Sequence, residues 1–233
     1  MLGSDCCGSA SLLDALCGSS NDDMVNTPKF LRKKQEIAAP GATLSGAAPR
    51  PFDETYTVGQ KLAKGSFGTV FVTTHKGSHE EFAVKVIDKP RLKPRDVDTL
   101  HREVGILKDC HDVDHIVRLV DFYDTPDKFF VVQVYARGGD VFERLAQRTS
   151  YSEKEARDLA ICLLDAMKVL HERKIAHRDL KPENLLLEDV LSDSGILLAD
   201  FGFASYVPEG GLRTRCGACW CLRVGHGAVH VVL

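Results

Sequence analysis

The spacing of apolar residues divides the chain into a β-rich first part and a helical second part. Between residues 56 and 134, short runs of β-branched and aromatic residues are separated by turns, which is typical of strands. The predicted strands are Tyr56–Leu62, Thr69–Thr74, Glu81–Ile87, Ile116–Phe122 and Lys128–Val134. Between the third and fourth strands, apolar residues recur at helical spacing and predict a helix over Asp96–Lys108. Its apolar stripe is Val97, Leu100, Val104 and Leu107.

After residue 136 the apolar pattern becomes mainly helical. Asp140 follows two glycines and can cap a helix that runs to about Arg148. Ser152 and Glu155 fit a capping box, which predicts the start of a second and longer helix. The apolar face of that helix consists of Ala156, Leu159, Leu163, Met167 and Leu170. The short strands predicted after it are Leu185–Leu187 and Ile196–Ala199. The whole pattern indicates the α+β class, with five strands and one helix before the helical part.

Composition narrows the classes of function. The chain has 233 residues and a formal net charge of −3, which allows one large domain or two small ones and gives no argument for nucleic-acid binding. No apolar run has the length of a membrane span, and the N-terminus lacks the pattern of a secretory signal. The eight cysteines do not form the framework of a small secreted domain, so we expect a reducing, cytoplasmic or nuclear setting. Residues 1–54 are expected to be a disordered tail.

One charged stretch, His177–Asn184, indicates chemistry. Pro182 prevents a regular helix through it, so a shaped loop is predicted. The order His-Arg-Asp, with Asn five residues after the Asp, resembles the catalytic loop of eukaryotic serine/threonine protein kinases. The resemblance implies that Asp179 orients a substrate hydroxyl and accepts its proton, that Lys181 lies beside the transferred phosphate and that Asn184 holds a metal ion. A charged surface turn is the alternative, and three further kinase signatures at fitting distances argue against it.

The first of these signatures is a glycine-rich turn that resembles the nucleotide loop of the same family. Glycines let backbone amides approach phosphates closely. The residues implied to contact nucleotide here are Ala63, Lys64, Gly65, Ser66, Phe67, Gly68 and Val70. Ala63 stands where the family has its first glycine, so we expect a stiffer loop and weaker nucleotide binding.

The second signature is Lys85, which lies inside an apolar strand and needs an anionic partner if it points inward. Glu103 falls at the edge of the predicted helix stripe, and the resemblance implies that the two residues pair. Without the other motifs, Glu103 would be interpreted as an exposed helix carboxylate. The third signature is Asp200-Phe201-Gly202, where Asp200 is implied to bridge Mg²⁺ to the phosphates of ATP.

The resemblance also implies the remaining walls of an ATP pocket. Its residues are Gln133 at the back, Val134, Tyr135 and Ala136 at the hinge, Val70 and Ala83 above the ring, Leu186 below it and Asp140 at the ribose. Apart from their register with the motifs, these residues are equally compatible with ordinary core. Leu107, Leu119, His177 and Phe201 match the side chains that stack through both lobes of active kinases. The implied fold is bilobal, with a five-stranded antiparallel sheet and one helix in the first lobe.

Finer motifs indicate a subgroup and a switch. The segments Asp200–Ala204 and Thr214–Gly217 look most similar to the calcium/calmodulin-dependent kinase group. Thr214 matches an activation-loop position that many relatives phosphorylate, with Arg178 as the implied partner of the phosphate. The alternative is that Thr214 is an ordinary loop residue. A protein bearing Ser or Thr hydroxyls is the implied substrate. Calmodulin-type regulation is expected only of longer relatives, because no calmodulin-binding segment is recognised here.

The resemblance runs from about Tyr56 to Gly217, and no Ala-Pro-Glu motif follows. We therefore interpret the chain as truncated within the activation segment, with residues 55–136 as the first lobe, 137–217 as an incomplete second lobe and 218–233 as a non-kinase tail. A shifted frame, retained intron or truncated gene would explain that tail. Zinc binding by Cys216, Cys219, Cys221, His226 and His230 is the alternative, although the spacing fits no standard finger.

Two functions follow from this interpretation. The first is a serine/threonine kinase that transfers the γ-phosphoryl group of ATP to protein hydroxyls. The second is a non-catalytic fragment that binds nucleotide or a protein partner. We expect the apolar face of the second helix to lose part of its cover, which would make the isolated chain unstable and a poor kinase.

Overall fold

A computed structural model describes residues 50–65, 68–148, 150–193 and 195–211 with their side chains, and the backbone of 221–225 and 228–232. Most of the predicted disordered tail therefore lies outside the described residues, as do the side chains of the alternative zinc site. The prediction is wrong at the end of the tail, because Phe52 begins a short helix and its side chain is buried. No helix in the described part of the chain is long and apolar enough to cross a membrane.

The first part of the chain forms a five-stranded antiparallel sheet, as predicted. The strands are β1 (Tyr56–Lys64), β2 (Thr69–His75), β3 (Glu81–Asp88), β4 (Leu119–Asp124) and β5 (Lys128–Val134). Their spatial order is β1-β2-β3-β5-β4. A short helix α1 (Phe52–Thr55) precedes β1, and helix α2 (Pro94–Asp109) connects β3 to β4. The α+β class and this arrangement of the first lobe are thus confirmed.

The fourth strand begins later than predicted. Ile116 is a buried bridge residue rather than part of β4, and it pairs in parallel with Leu198 from the second half of the chain. The amide of Val117 donates to the carbonyl of Leu198 at 2.9 Å, and the amide of Leu198 donates to the carbonyl of His115 at 2.8 Å. These bonds tie residues 115–117 to β8 instead of β5. Hydrogen bonding to β5 begins next to them, where the carbonyl of Arg118 accepts from the amide of Val134.

Apolar clusters cover part of each face of the sheet, mainly over β3 and β5. On one face, Phe52 of α1 stacks on Phe130 with ring centroids 4.0 Å apart and packs in a cluster with Tyr56 and Phe82. On the other face, a second cluster joins the sheet to α2. Its buried members are Ile87, Leu100, Val104, Phe129 and Val131. Full burial of a large apolar side chain contributes about 1.5–3 kcal/mol, so these clusters hold α2 firmly against the sheet.

The second part of the chain contains two longer helices and several short strands. They are α3 (Val141–Arg148), α4 (Glu153–Glu172), β6 (Ile175–Ala176), β7 (Leu185–Leu187), β8 (Ile196–Leu198), β9 (Ser205–Tyr206), β10 (Cys221–Gly225) and β11 (Ala228–Val232). The predicted caps are present: Oδ1 of Asp140 accepts from the amide of Glu143 at 2.8 Å, and Ser152 forms its capping box with Glu155. Antiparallel pairs form between β6 and β9, β7 and β8, and β10 and β11.

The apolar face of α4 differs from the prediction at one end. Ala156 is exposed, whereas Leu159, Met167 and Leu170 are buried and Leu163 is half-buried. Leu159 packs against Leu187 and Ile196 of the β7–β8 pair, and Met167 and Leu170 pack in a larger cluster with Ile175 and Leu198. The expectation that this face loses its cover is therefore wrong at these three positions, because the short strands supply it.

Candidate active site

An ion pair joins the sheet to helix α2. Nζ of Lys85 lies 3.0 and 3.2 Å from the two carboxylate oxygens of Glu103. The side chains retain only 18% and 6% of their exposure, so the pair is largely desolvated. Burial by itself lowers the pKa of Lys85, but attraction to Glu103 and Asp200 and the hydrogen bond to Glu103 together raise that pKa above its usual range. Lys85 is therefore a fixed positive charge at neutral pH.

The loop after β6 is organised around the buried carboxylate of Asp179. Nζ of Lys181 donates to Oδ2 of Asp179 at 2.8 Å. Nδ2 of Asn184 donates to the same oxygen at 3.0 Å and to the Asp179 carbonyl at 2.8 Å. Both amide protons of Asn184 thus point at Asp179, which leaves the amide oxygen as an acceptor for another group. The hydrogen bond to Asp179 raises the pKa of Lys181, so its ammonium stays charged beside the carboxylate.

The imidazole of His177 links this loop to the end of β8. Nε2 lies 3.0 Å from the carbonyl oxygen of Ala199, so it carries the proton and donates it. Nδ1 then accepts from the amide of Asp179 at 3.4 Å. Burial lowers the pKa of His177, which keeps the ring neutral and compatible with both contacts. Its ring edge also packs on Phe201 at a centroid distance of 4.7 Å. The ring therefore fixes Asp179 relative to the residues around Asp200.

Asn184 and Asp200 lie at the same end of the β7–β8 pair. Leu185 pairs with Leu198, and one step beyond them the amide of Ala199 donates to the carbonyl of Asn184 at 2.9 Å. Asp200 comes next in the chain. Its backbone is left-handed, with φ +58°, and Asp200 is exposed to solvent. Non-glycine residues adopt this conformation rarely and often at functional sites. The chain thus brings an amide oxygen and an accessible carboxylate together.

The oxygens of Asn184 and Asp200 suit a magnesium ion that is also bound by phosphate and water. They are too few for a metal ion held by protein side chains alone. Mg²⁺ prefers oxygen ligands and is commonly held by one or two protein groups together with phosphates and water. Within the described ranges, no group of three or more His, Cys, Asp or Glu side chains is placed to hold a metal ion. An ion at Asn184 and Asp200 would therefore take most of its oxygens from a bound phosphate and water.

The other predicted nucleotide contacts occur as neighbouring pairs in the strands. Val70 of β2 pairs with Ala63 on one side and with Lys85 on the other. Ala83 of β3 lies opposite Gln133 of β5. Asp140 forms a bridge with Leu186, so the residues predicted for the ribose and for the floor are adjacent. Val134 donates its amide to the carbonyl of Arg118 at 3.0 Å, and Ala136 is buried.

The glycine-rich turn is closed at its base. The amide of Gly65 donates to the carbonyl of Gly68 at 2.9 Å, across the two intervening residues Ser66 and Phe67, which lie outside the described part. A Cβ on Gly68 would lie 2.4 Å from the carbonyl oxygen of Val86, so only glycine fits there. Ala63 and Lys64 are exposed at the end of β1.

Comparison with known proteins agrees with this geometry. The protein kinase domain family matches residues 56–222. The chain belongs to the protein kinase family. The match extends five residues beyond Gly217, where the motifs had placed its end.

Individual relatives identify the subgroup. The kinase domain is 38% identical over 176 residues to serine/threonine-protein kinase SIK2 of Gallus gallus, covering 75% of this chain and 22% of that protein. It is 34% identical over 191 residues to calcium/calmodulin-dependent protein kinase type 1 of Caenorhabditis elegans, covering 82% and 52%. It is 35% identical over 178 residues to the phosphorylase b kinase gamma catalytic chain of Bos taurus, covering 73% and 43%. The predicted similarity to the calcium/calmodulin-dependent group is confirmed, and the chain spans about a fifth to a half of the length of these relatives.

Some contacts of this kinase domain were not found from the sequence. Arg178 was predicted to meet a phosphate on Thr214, which lies outside the described residues. In the structure Nε of Arg178 donates to the carbonyl of Phe203 at 2.7 Å. At the C-terminal end of α2, the hydroxyl of Tyr206 donates to the carboxylate of Asp109. Apolar periodicity carries no signal for such contacts, because each joins residues on separate elements.

Proposed function

We propose that the chain is a serine/threonine protein kinase domain that transfers the γ-phosphoryl group of ATP to hydroxyls of a protein substrate. The observation that supports this most is the desolvated pair of Lys85 and Glu103, with the charge of Asp200 acting on the same ammonium. Protein kinases need this pair in place to hold ATP productively. The proposal includes residues 55–136 as the N-terminal lobe, with Phe52 of α1 packed against its sheet, and residues 137–217 as a C-terminal lobe segment. The residues before α1 and residues 218–233, of which the family match covers the first five, are flanking tails.

Binding of ATP follows from the charges. The Lys85 ammonium would meet the α- and β-phosphates, while Glu103 keeps that ammonium in one position. Backbone amides of the turn at Gly65–Gly68 would meet the phosphates without interference from a Cβ. Asn184 and Asp200 would hold Mg²⁺, which, when bound, neutralises the charge of the β- and γ-phosphate oxygens. Because the reaction uses ATP, an intracellular place of action is part of the same proposal.

Transfer of the phosphoryl group requires a base and a substrate hydroxyl that is held in line with the γ-phosphorus. The substrate hydroxyl oxygen forms a bond to the γ-phosphorus, the bond from that phosphorus to the β–γ bridging oxygen breaks, and ADP leaves. The hydroxyl proton goes to the carboxylate of Asp179. Lys181, 2.8 Å from that carboxylate, would stabilise negative charge on the group in transit. His177 and Asn184 keep the carboxylate in one orientation, so most of the catalysis is positioning.

The test is phosphate transfer by the 233-residue chain from labelled ATP to a mixed library of Ser and Thr peptides in the presence of Mg²⁺. We expect transfer, because the apolar face of α4 is covered at the three positions described above, and Asp179→Asn should reduce it by about a hundredfold or more. The matched control is Asp189→Asn, an exposed carboxylate whose contact is the amide of Leu191. Transfer that survives Asp179→Asn contradicts the proposal. Binding of ATP with no transfer by the unaltered chain favours the non-catalytic alternative.

A further inference from the structure

A second cluster of charges lies beside the proposed nucleotide site. Asp193, in the connection between β7 and β8, accepts from two arginines of α3: Nη1 of Arg144 lies 2.6 Å from Oδ1, and Nη1 of Arg148 lies 2.6 Å from Oδ2. The side chains of Asp193 and Arg144 retain 5% and 13% of their exposure. Burial and the negative charge of Asp193 also raise the pKa of Tyr151. Charge-assisted hydrogen bonds in such a desolvated setting are strong and directional.

Arg144 connects Asp193 to the segment that follows the hinge. Its Nη2 donates to the carbonyl of Gly138 at 3.1 Å and to the carbonyl of Val190 at 3.0 Å. One guanidinium therefore binds Val190 and Asp193 of the β7–β8 connection and also Gly138, which lies two residues before Asp140. A buried guanidinium that lost its carboxylate would keep only carbonyl acceptors and an unbalanced charge.

The same segment is fixed from its other side by β7. The amide of Gly138 donates to the carbonyl of Leu187 at 2.9 Å, and the amide of Leu187 donates to the carbonyl of Gly139 at 2.8 Å. A Cβ at Gly138 would lie 2.3 Å from the carbonyl oxygen of Asp189, so the two backbones are in direct contact. The segment is thus held between β7 and Arg144.

We propose that Asp193, acting through Arg144, is a positioning residue that sets the direction of the Asp140 carboxylate toward the ribose of ATP. Arg144 donates its own amide to the carbonyl of Asp140 at 3.1 Å, so the two residues share the first turn of α3. Oδ1 of Asp140 caps that turn, which assigns Oδ2 to the ribose hydroxyls. A shift of this turn alters the ribose contact and leaves Lys85, Asp179 and Asp200 in place. The inference rests on the proposed function, because it concerns the same nucleotide site.

The test compares the affinities of the full chain for ATP and for 2′,3′-dideoxy-ATP, each with Mg²⁺, by isothermal titration. A carboxylate that accepts from the ribose hydroxyls gives the unaltered chain a preference for ATP of about tenfold. In Asp193→Asn we expect the preference to fall to about twofold, with the affinity for the dideoxy nucleotide unchanged. The control Asp189→Asn, in the same connection, keeps the full preference. In an Asp140→Ala background, Asp193→Asn changes neither affinity.

The other possible results also support or overturn the positioning role of Asp193. A preference that stays near tenfold in Asp193→Asn overturns the inference, and so does an equal loss of affinity for both nucleotides, which indicates a purely structural role. If Asp193→Asn does not fold, Arg148→Gln removes the Oδ2 partner of Asp193 together with an exposed contact to Glu155, from a side chain that is 44% exposed. Arg148→Gln should then lower the preference for ATP to about threefold, and an unchanged preference overturns the inference.

If the unaltered chain binds neither nucleotide, the proposed function fails and the inference falls with it.

Discussion

Replacement of Lys85 by methionine should separate the structural role of the Lys85–Glu103 pair from its role in transfer. Methionine keeps an unbranched chain and removes the charge. Glu103, which is buried, is then left without its partner. Removing one member of a buried ion pair costs about 3–5 kcal/mol, because the remaining charge is desolvated and unpaired. Lys85 keeps 18% of its exposure, so water screens part of this loss and we expect about 3 kcal/mol.

That magnitude is easy to measure. In a chain of this size each 1 kcal/mol lowers the melting temperature by about 2–4 °C, so Lys85→Met should melt about 6–12 °C below the unaltered protein. Thermal and urea unfolding followed by circular dichroism, without nucleotide, give the difference. The control is Lys154→Met, because Lys154 pairs with Asp158 on the surface of α4 at 2.9 Å and such exposed pairs contribute about 0.3–0.5 kcal/mol.

The double variant Lys85→Met with Glu103→Leu gives the decisive comparison. Replacing both members of a buried ion pair with apolar residues is often neutral or stabilising. We therefore expect the double variant to regain most of the lost stability and to remain unable to transfer phosphate, since no ammonium meets ATP. A single variant that melts with the unaltered protein would refute the assignment of a desolvated pair. A double variant no more stable than the single one would do the same.

Three further predictions concern metal, pH and phosphorylation. Asp200→Asn should raise the Mg²⁺ concentration needed for half-maximal ATP binding by about tenfold or more, because a charged oxygen ligand is lost. Burial lowers the pKa of His177, so the unfolded chain binds a proton at a higher pH than the folded chain does. The free energy of unfolding should therefore fall as pH decreases below about 6.5, by at most about 1.4 kcal/mol per pH unit. His177→Phe should flatten this slope. Phosphate on Thr214 should raise turnover through Arg178, and Thr214→Ala should abolish the increase.

Each of these has a distinct contrary result. ATP binding with the same Mg²⁺ dependence in Asp200→Asn rules out that residue as a ligand. For the pH prediction, urea titrations between pH 5 and pH 7.5 should be made in a His171→Gln background, because burial also lowers the pKa of His171 and this residue contributes to the same slope. An equal slope before and after His177→Phe contradicts the assignment to His177. For Thr214, mass spectrometry must show the phosphate, and equal turnover with and without it rejects the switch.

Local spacing was sufficient to place the helix that carries Glu103. Leu100, Val104 and Leu107 are all buried, as their helical periodicity predicted, and Glu103 lies between the first two along the chain. Spacing alone left open whether Glu103 was exposed. Its partner is 18 residues away on another element, and only the family resemblance suggested Lys85. Periodicity therefore fixes the face of an element, whereas the match between two faces requires tertiary information.

The contacts that escaped prediction share one property. Ile116 pairs with Leu198, and Arg144 reaches Asp193 across 49 residues, so each joins distant parts of the chain through backbone or charged groups. The strand pattern around Ile116 is apolar in either pairing, so the sequence could not show where β4 begins. Polar loop residues such as Asp193 have no periodicity at all, and their burial arises only when two elements meet.

Helix α2 contributes side chains to two separate hydrophobic clusters, and this affects how firmly the Lys85–Glu103 ion pair is held. Leu100 and Val104 pack with the sheet in a cluster with Ile87, whereas Ile106 and Leu107 pack in the larger cluster that contains Phe201. Glu103 lies on the same turn as Val104 of the first cluster and directly precedes the turn that carries Ile106 and Leu107 of the second. Close-packed cores transmit small displacements instead of absorbing them. A change that loosens either cluster will therefore shift Glu103 relative to Lys85 without touching either residue, and the charge of the ammonium will then be held less firmly where ATP is proposed to bind.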